Sequence, residues 1–266
     1  MRTTGSPWRS EVSDVVTGAF SFTGRAIAEE LLKRGGSVRT LSRRPAENGD
    51  QLGGPVEWAP LQFADPAALR ESLCGADVLY TTYWIRFERG GTTFARAVEN
   101  IRMLLEAARE ADVRRVVHVS VTNPSASSPF AYYRGKAVAE QHVTASGLSY
   151  AIVRPTLVYG SHDILLNNIA WTLRRFPLFA VAGDGSYRVQ PVSVGELATL
   201  CVDAGAGDSP QTFDVAGPEI YTYDELARAI AAAVDRPARL VHLPRPVVTA
   251  LARVVGLFTR DVLVNG

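Results

Sequence analysis

The sequence predicts an α/β fold built on a parallel, doubly wound β-sheet. Two observations carry this prediction. Up to residue 160, short apolar segments rich in β-branched residues alternate with amphipathic segments of helical length, and the loops between them are short. The first apolar segment, around Val15 and Val16, leads through a glycine turn directly into a helix. We therefore expect helices on both faces of the sheet and right-handed crossovers.

The spacing of apolar residues places each element along the chain. Strands are predicted around Val15 and at 37–42, 56–61, 77–81, 114–120, 148–154 and 212–215, and helices at 26–34, 65–73, 93–111, 130–142, 163–176, 194–202 and 223–234. After residue 160 the alternation is irregular, with a tight turn at 183–185 and a last apolar helix after Pro246. We predict one domain of residues 11–160, to which segments of 186–216 add late strands and a helix, and a smaller substrate lobe of residues 161–185 and 217–266.

Composition excludes several classes of protein. The 266 residues are 47% hydrophobic and 21% charged, which indicates a globular chain with a large core. A net charge of +1 gives no reason to expect nucleic acid or an anionic membrane as a partner. Cys74 and Cys201 are the two cysteines, the start of the chain lacks a signal-peptide pattern, and the apolar segment 247–258 is interrupted by Arg253. We expect a cytoplasmic monomer or homodimer, and the four scattered histidines predict no metal site.

The turn after the first strand has the spacing of a dinucleotide-binding fingerprint. Gly18 and Gly24 occupy the first and third glycine positions, and Ser21 stands at the second. Gly18 allows a sharp turn off the strand, Gly24 allows the helix to approach the sheet, and the helix N-terminus attracts a pyrophosphate. We therefore predict a Rossmann-type domain whose cofactor contacts Gly18, Phe20, Ser21, Phe22, Thr23 and Gly24, with Thr81 at the end of the fourth strand as a further contact.

The end of the second strand indicates which dinucleotide binds. A site for NAD(H) usually has an acidic residue there, which binds the ribose 2′-hydroxyl. This chain instead has Ser42 followed by Arg43 and Arg44, and guanidinium groups suit a 2′-phosphate. The sequence thus favours NADP(H) over NAD(H).

Tyr132 and Lys136 form a candidate acid–base pair. They are four residues apart in a predicted helix and share one face, and Lys136 is one of only two lysines among 28 cationic residues. A neighbouring ammonium is expected to lower the pKa of the phenol and to hydrogen-bond a ribose. Ser120 and Thr122, after the fifth strand, are both candidates for the hydroxyl that orients the substrate oxygen. Aromatic residues after the fourth strand, Tyr83, Trp84 and Phe87, suggest an apolar pocket.

Taken together, these motifs resemble a known family over nearly the whole chain. The glycine turn, Tyr132 with Lys136, the segment Arg154 to Gly160, the Gly183 to Gly185 turn and the segment Gln190 to Leu197 occur in the same order in extended and atypical short-chain dehydrogenases/reductases. The resemblance is greatest to the epimerase/dehydratase and NmrA-like groups, which include relatives of the 39 kDa subunit of respiratory complex I. The resemblance implies a Ser/Thr–Tyr–Lys catalytic set, and it adds Gln62, Pro155, Thr156 and Leu157 to the cofactor contacts.

The leading hypothesis is an NADP(H)-dependent oxidoreductase that acts on a carbonyl or alcohol of a small organic substrate. A sugar-nucleotide epimerase or dehydratase would use the same residues. The departures from the family, Ser21 in the turn and Ser193 to Glu196 in place of its late motif, favour an alternative protein that binds NADP(H) for redox sensing or assembly without turnover. Quinone reduction is a third hypothesis, which rests on the aromatic residues alone.

Overall fold

A computed structural model describes residues 14–45, 52–236, 239–244 and 246–248. The described residues form two compact units. The first contains the chain through Pro155 together with Val194–Val215, and the second contains Thr156–Ser193 and the chain from Ala216 onward. Most of the predicted last helix lies outside the described residues, as do residues 11–13 at the start of the predicted first domain.

Strands and helices alternate through most of the first part of the chain. The first part comprises β1 (Asp14–Thr17), α1 (Phe22–Lys33), β2 (Val38–Ser42), β3 (Val56–Pro60), α2 (Pro66–Leu73), β4 (Val78–Thr81), α3 (Phe94–Glu110), β5 (Arg115–Val119), α4 (Ala131–Ala145) and β6 (Ser149–Pro155). The rest comprises β7 (Leu157–Tyr159), α5 (Leu165–Arg175), β8 (Leu178–Ala182), β9 (Arg188–Val189), β10 (Pro191–Ser193), α6 (Val194–Gly205), β11 (Gln211–Val215), β12 (Tyr221–Thr222), α7 (Tyr223–Ala233) and β13 (Arg239–Leu243).

The first unit is built on a seven-stranded sheet in the order β3-β2-β1-β4-β5-β6-β11. All six neighbouring pairs are parallel, so every strand ends at the same edge of the sheet. The order reverses between β1 and β4, which is the switch point where ligands bind in such sheets. The predicted α/β, doubly wound fold is therefore confirmed.

Helices cover the sheet because their apolar side chains pack against the buried side chains of its strands. α1 packs with α6, while α3 packs with both α2 and α4. The larger core cluster combines buried strand residues such as Val15, Leu79 and Val116 with Ile101 and Leu104 of α3. Asp65 caps α2 by accepting from the amide of Ala68 (3.0 Å), and Thr93 caps α3 by accepting from that of Arg96 (3.1 Å).

Buried charges at the amino edge of the sheet are paired with the backbone. Arg115 at the start of β5 is fully buried, and its guanidinium donates to the carbonyl oxygens of Ala204 (2.8 Å) and Ser209 (3.1 Å). It also donates to the Ser149 hydroxyl. Arg39 in β2 is fully buried as well, and it bonds Glu57 (2.9 Å) and the carbonyl oxygens at the end of α2. These hydrogen bonds link β5 to β6 and α6, and β2 to β3 and α2, at this edge of the sheet.

The second unit contains α5, α7 and three short strand pairs. β8 pairs with β13, β7 with β10, and β9 with β12. Its core brings Ile169 and Leu173 of α5 against Phe179, Val181 and Ala227. Thr222 and Glu225 form a capping box at the start of α7.

Candidate functional site

The glycine turn lies at the carboxyl end of β1. Gly18 has φ +67°, a conformation that favours glycine, and its amide donates to the carbonyl oxygen of Leu41 (2.8 Å), which joins the turn to β2. Ser21 folds its hydroxyl back onto the Gly18 carbonyl oxygen (2.6 Å), and its amide donates to the same oxygen (2.8 Å). The serine at the middle position thus closes the turn by two hydrogen bonds.

Gly24 allows α1 to approach the turn as the sequence predicts. A Cβ at this position would stand 2.2 Å from the carbonyl oxygen of Gly18, closer than real contacts permit. Any side chain here would therefore separate α1 from the end of β1. Phe20, Phe22 and Thr23, the other residues predicted to contact the cofactor in this turn, are each partly exposed.

The end of β2 places an arginine beside the turn. Ser42 bonds the carbonyl oxygen of Arg44 and accepts from Nε1 of Trp58 (3.0 Å), and these bonds fix the backbone where Arg43 begins. Arg43 is exposed and lines a cavity of about 840 Å³. Gln62, after β3, is exposed too.

The cavity runs along the carboxyl edge of the sheet. Its polar wall comes from the glycine turn, the end of β2, the end of β4 and the start of α3: Thr17, Gly18, Ser21, Ser42, Arg43, Thr82 and Arg96. Its apolar wall includes Leu41, Leu61, Phe63, Tyr83, Trp84 and Ile85. Asn100 of α3 holds one aromatic ring in place by donating to the hydroxyl of Tyr83 (2.7 Å).

Several buried polar atoms at this edge are unpaired. Within the described part of the chain, no hydrogen-bond partner contacts Oγ1 of Thr81, Nε1 of Trp84, either ring nitrogen of His118, or Oγ of Ser120. We call these the unpaired atoms. A buried polar group without a partner costs about 1–3 kcal/mol, so each of these atoms lowers the stability of the folded chain unless a ligand or a water pairs with it.

The two candidate hydroxyls after β5 have different surroundings. Ser120 is buried and carries one of the unpaired atoms. Thr122 is partly exposed, its hydroxyl lies 3.4 Å from Oδ1 of Asp214, and its amide donates to the Pro155 carbonyl oxygen (3.0 Å). Thr122 is therefore engaged with β11 and β6, whereas the Ser120 hydroxyl has no partner among the described residues.

Lys136 lies beneath the end of β5. Only 3% of this residue is exposed, Nζ donates to the carbonyl oxygen of Val119 (2.9 Å), and the amine lies 4.7 Å from the ring centre of Trp84. Burial lowers the pKa of the Lys136 amine to about 7, against the opposing effect of Glu140. Glu140 is itself held by two hydrogen bonds from Arg154, at 3.0 and 2.6 Å.

Tyr132 is packed in an aromatic cluster. Its ring meets those of Trp84 (6.0 Å between centres), Phe94 (5.9 Å) and Tyr133 (5.4 Å) edge to face. The expected lowering of its pKa is wrong for this conformation: burial, with a smaller contribution from Tyr133, raises the pKa of Tyr132 to about 12. The lysine does not offset burial because its amine faces the Val119 carbonyl and has itself lost basicity.

The contact of Trp84 with α4 was not predicted. The sequence suggested only that Trp84 lines a pocket, whereas its ring covers Lys136 and touches Tyr132. A Cβ at Gly135 would stand 3.0 Å from Cη2 of Trp84, so the glycine leaves room for the indole. A glycine in the interior of a predicted helix, directly before the lysine, was the signal for this contact.

The remaining predicted cofactor contacts are divided between the units. Thr81 and Pro155 are buried in the first unit, at the ends of β4 and β6. Thr156 and Leu157 belong to the second unit, where the Thr156 hydroxyl bonds the carbonyl oxygen of Gln190. Among the described residues, no cluster of His, Cys, Asp and Glu could hold a metal ion. Nor does any helix in the described ranges have both the length and the apolar character needed to cross a bilayer.

Comparisons with known proteins agree with this geometry. A family model described as NAD(P)H-binding matches residues 18–162. Subunit 9 of the NADH dehydrogenase [ubiquinone] 1 alpha subcomplex, mitochondrial, of Arabidopsis thaliana is 28% identical over 98% of this chain and 67% of its own length. The ceramide reductase of Caulobacter vibrioides is 30% identical over 87% of this chain and 73% of its own.

A solved structure shares the fold. UDP-N-acetylglucosamine 4-epimerase from Bacillus cereus superposes with a TM-score of 0.74 at 16% identity, over 88% of this chain and 85% of that one. The family model covers more than half of the chain, from the glycine turn through the Tyr132–Lys136 pair. The chain therefore belongs to this NAD(P)H-binding family, as its resemblance to extended and atypical short-chain dehydrogenases/reductases predicts.

Proposed function

We propose that this chain is an NADP(H)-dependent oxidoreductase that reduces a carbonyl group, or oxidises the matching alcohol, in a small apolar substrate. One observation carries the proposal. The buried amine of Lys136 donates to the carbonyl oxygen of Val119 (2.9 Å), and the next residue, Ser120, has a buried hydroxyl with no partner in the described chain. With Tyr132 one helical turn before Lys136, these are the groups that proton transfer to a carbonyl oxygen needs.

The carboxyl edge of the sheet fits a dinucleotide. The turn 18–24 and the amino end of α1 would hold its pyrophosphate, and Thr81 and Lys136 would hold its nicotinamide ribose. The hydroxyls of Thr81 and Ser120 need partners that the described residues do not supply. When bound, the cofactor supplies or accepts the hydride.

The preference for the phosphorylated cofactor rests on the end of β2. Ser42 leaves this strand end without the carboxylate that would repel a 2′-phosphate. Arg43 is exposed and lines the same cavity as Gly18 and Ser21 of the glycine turn. An arginine there supplies charge and paired donors to a phosphate.

Tyr132 would be the proton donor. Burial raises the pKa of this phenol to about 12, so it is protonated at neutral pH, as a general acid must be before carbonyl reduction. Ser120 would hold the same substrate oxygen by a hydrogen bond. Trp84, Phe94 and Tyr133 surround the phenol, which favours an apolar substrate. The similarity to a reductase named for ceramide, a lipid, supports the apolar character of the substrate.

A second candidate is a protein that binds NADP(H) without turnover. The observation that favours it is the Trp84 ring, which covers the Lys136 amine while that amine is bonded to Val119. The similarity to a subunit of NADH dehydrogenase supports an assembly role of this kind. The two candidates share the cofactor site and differ only in whether a substrate is turned over.

Turnover is tested by following NADPH oxidation against a panel of apolar aldehydes and ketones, with Tyr132→Phe and Tyr133→Phe compared side by side. Loss of the general acid should lower kcat at least about a hundredfold in Tyr132→Phe. Tyr133→Phe removes a neighbouring phenol from the same cluster and should retain activity. Full activity of Tyr132→Phe would refute the catalytic assignment. NADPH binding with no turnover of any substrate would favour the second candidate.

Cofactor choice is tested by titrating the protein with NADPH and NADH. Arg43→Ala should weaken NADPH binding about tenfold to a hundredfold, the value of a charged hydrogen bond, and leave NADH binding unchanged. Arg70→Ala, which removes an exposed arginine from α2, serves as the control for net charge. Equal affinity for both cofactors in the unaltered protein would contradict the preference.

A further inference from the structure

α5 in the second unit and the residues that flank it carry exposed large apolar side chains. Five such residues on and just beyond the helix are 40% to 54% exposed. We call them the α5 patch: Ile164, Leu165, Trp171, Phe176 and Leu178. Trp171 and Phe176 contact each other, with 6.3 Å between ring centres, so they form a continuous aromatic surface.

The core of the unit does not require these side chains. α5 packs inward through Ile169, Ala170 and Leu173, which are buried. Trp171 is two residues from both Ile169 and Leu173, and two residues correspond to more than half a turn. Trp171 therefore faces away from the core, on the side where a helix of a water-soluble domain normally has polar residues.

All charged residues of α5 are positive. The helix contains no acidic residue, and its last turn has Arg174 and Arg175. The guanidinium of Arg175 lies 5.9 Å from the ring centre of Trp171, so charge and aromatic surface are combined in one place. Tryptophan, phenylalanine and leucine beside arginines are typical of helices that lie in the headgroup region of a bilayer.

We propose that the α5 patch docks this protein onto the surface of an anionic phospholipid bilayer. The aromatic rings would enter the boundary between headgroups and acyl chains, while Arg174 and Arg175 would pair with lipid phosphates and carboxylates. The chain's net charge of +1 gives no general attraction, so binding depends on this local pair. The proposal is independent of the proposed function, because vesicle binding is measured without turnover.

The charge pattern argues against a second copy of the chain as the occupant. In a two-fold contact centred on the patch, Arg174 and Arg175 of one copy would face α5 of the other copy, which has no acidic residue to pair with them. An anionic surface complements them. The helix is 11 residues long, about 16 Å, and this is enough to lie along a bilayer surface.

The test is co-sedimentation of the full chain with vesicles of phosphatidylcholine alone or of phosphatidylcholine with phosphatidylserine. We expect binding to the anionic vesicles, weakened by salt. Trp171→Gln should lower the bound fraction at least about fivefold by removing the anchor. Arg174→Gln with Arg175→Gln should remove the preference for phosphatidylserine. Leu200→Gln, which replaces an exposed leucine on α6 of the first unit, is the matched control and should bind normally.

Folding of each variant is checked by its thermal transition and by NADPH binding. Three results would overturn the proposal. These are absence of binding to the anionic vesicles, binding that Trp171→Gln leaves unchanged, and self-association in sedimentation equilibrium that Trp171→Gln abolishes. The last result would identify a second copy as the occupant.

Discussion

The two edges of the seven-stranded sheet differ in whether their buried polar groups have hydrogen-bond partners. At the amino edge, the fully buried Arg115 donates to the carbonyl oxygens of Ala204 and Ser209, and Arg39 bonds Glu57. At the carboxyl edge, Thr81 and Ser120 keep buried hydroxyls that, among the described residues, have no partner. Both arrangements desolvate polar atoms, but only the first recovers the cost within the folded chain.

This contrast distinguishes buried groups that are paired within the folded chain from buried groups that are not. Paired groups at the amino edge stabilise the junctions between β5, β6 and the end of α6. Unpaired atoms at the carboxyl edge leave the fold less stable than it could be, and a bound ligand can recover that cost by mass action. Substitutions at the two edges should therefore change stability in different directions.

The largest expected effect is at Arg115. Arg115→Ala removes a fully buried side chain and leaves the carbonyl oxygens of Ala204 and Ser209 without their donors, so we expect a loss of about 3 kcal/mol in the free energy of unfolding. Urea denaturation measures this loss. NADPH affinity of the protein that remains folded should not change, because the residue lies at the opposite edge from the cavity.

Arg114 supplies the control for this measurement. It is adjacent in sequence, its side chain is 37% exposed, and it pairs with Asp77 and Asp208 at the surface. Because Arg114 is partly exposed and water can replace its bonds to Asp77, Asp208 and the carbonyl oxygens of Gly205 and Gly207, Arg114→Ala should cost about 1–2 kcal/mol, less than Arg115→Ala. Equal losses in the two variants would show that the buried hydrogen bonds of Arg115 are not what stabilises this edge.

The positions of strands and helices can be predicted from the sequence, whereas most of the side-chain contacts between them cannot. Strand positions were predictable because apolar β-branched runs such as that of β5 are bounded by polar loops. The close approach of Gly24 was predictable because the fingerprint spacing has one steric meaning. The pKa shift of Tyr132 was not, because its direction depends on how Trp84 and Phe94 bury the phenol.

The choice between the two hydroxyls after β5 shows the same limit. Ser120 and Thr122 both follow the strand, and their residue types give no reason to prefer one. They differ because Thr122 meets Asp214 of β11, a strand that enters the sheet from far along the chain. Sequence spacing does not encode that neighbour, so the difference emerges only from the fold.

The next effect in size is the pH dependence that Lys136 causes. Burial lowers the pKa of its amine from 10.5 in the unfolded chain to about 7. Between these values the unfolded state binds more protons than the folded state, so the free energy of unfolding rises with pH. We expect a gain of about 2 kcal/mol between pH 7 and pH 9, measured by urea denaturation without cofactor.

Lys136→Met tests the origin of this slope, because methionine fills a similar volume without a titrating amine. Its stability should be nearly flat over the same range. Two other buried groups titrate outside this range. Burial raises the pKa of the Asp14 carboxyl to about 6, so Asp14 titrates below pH 7. Burial raises the pKa of the Cys201 thiol to about 12, so above pH 9 Cys201 makes the free energy of unfolding fall with pH. A slope that persists in Lys136→Met would assign the effect to another group.

The smallest effect is the sharpest test of the contrast, because it compares two buried threonines. Thr40 and Thr81 are both fully buried on strands that flank β1, and Thr40 accepts a hydrogen bond from the amide of Ala19 (3.0 Å). Thr40→Val should cost about 1 kcal/mol or more by leaving that amide unpaired, whereas Thr81→Val should be neutral or stabilising by about 1 kcal/mol. Urea denaturation of both variants decides the point. A loss in Thr81→Val as large as that in Thr40→Val would mean that the Thr81 hydroxyl is paired without a ligand, and the carboxyl edge would then resemble the amino edge.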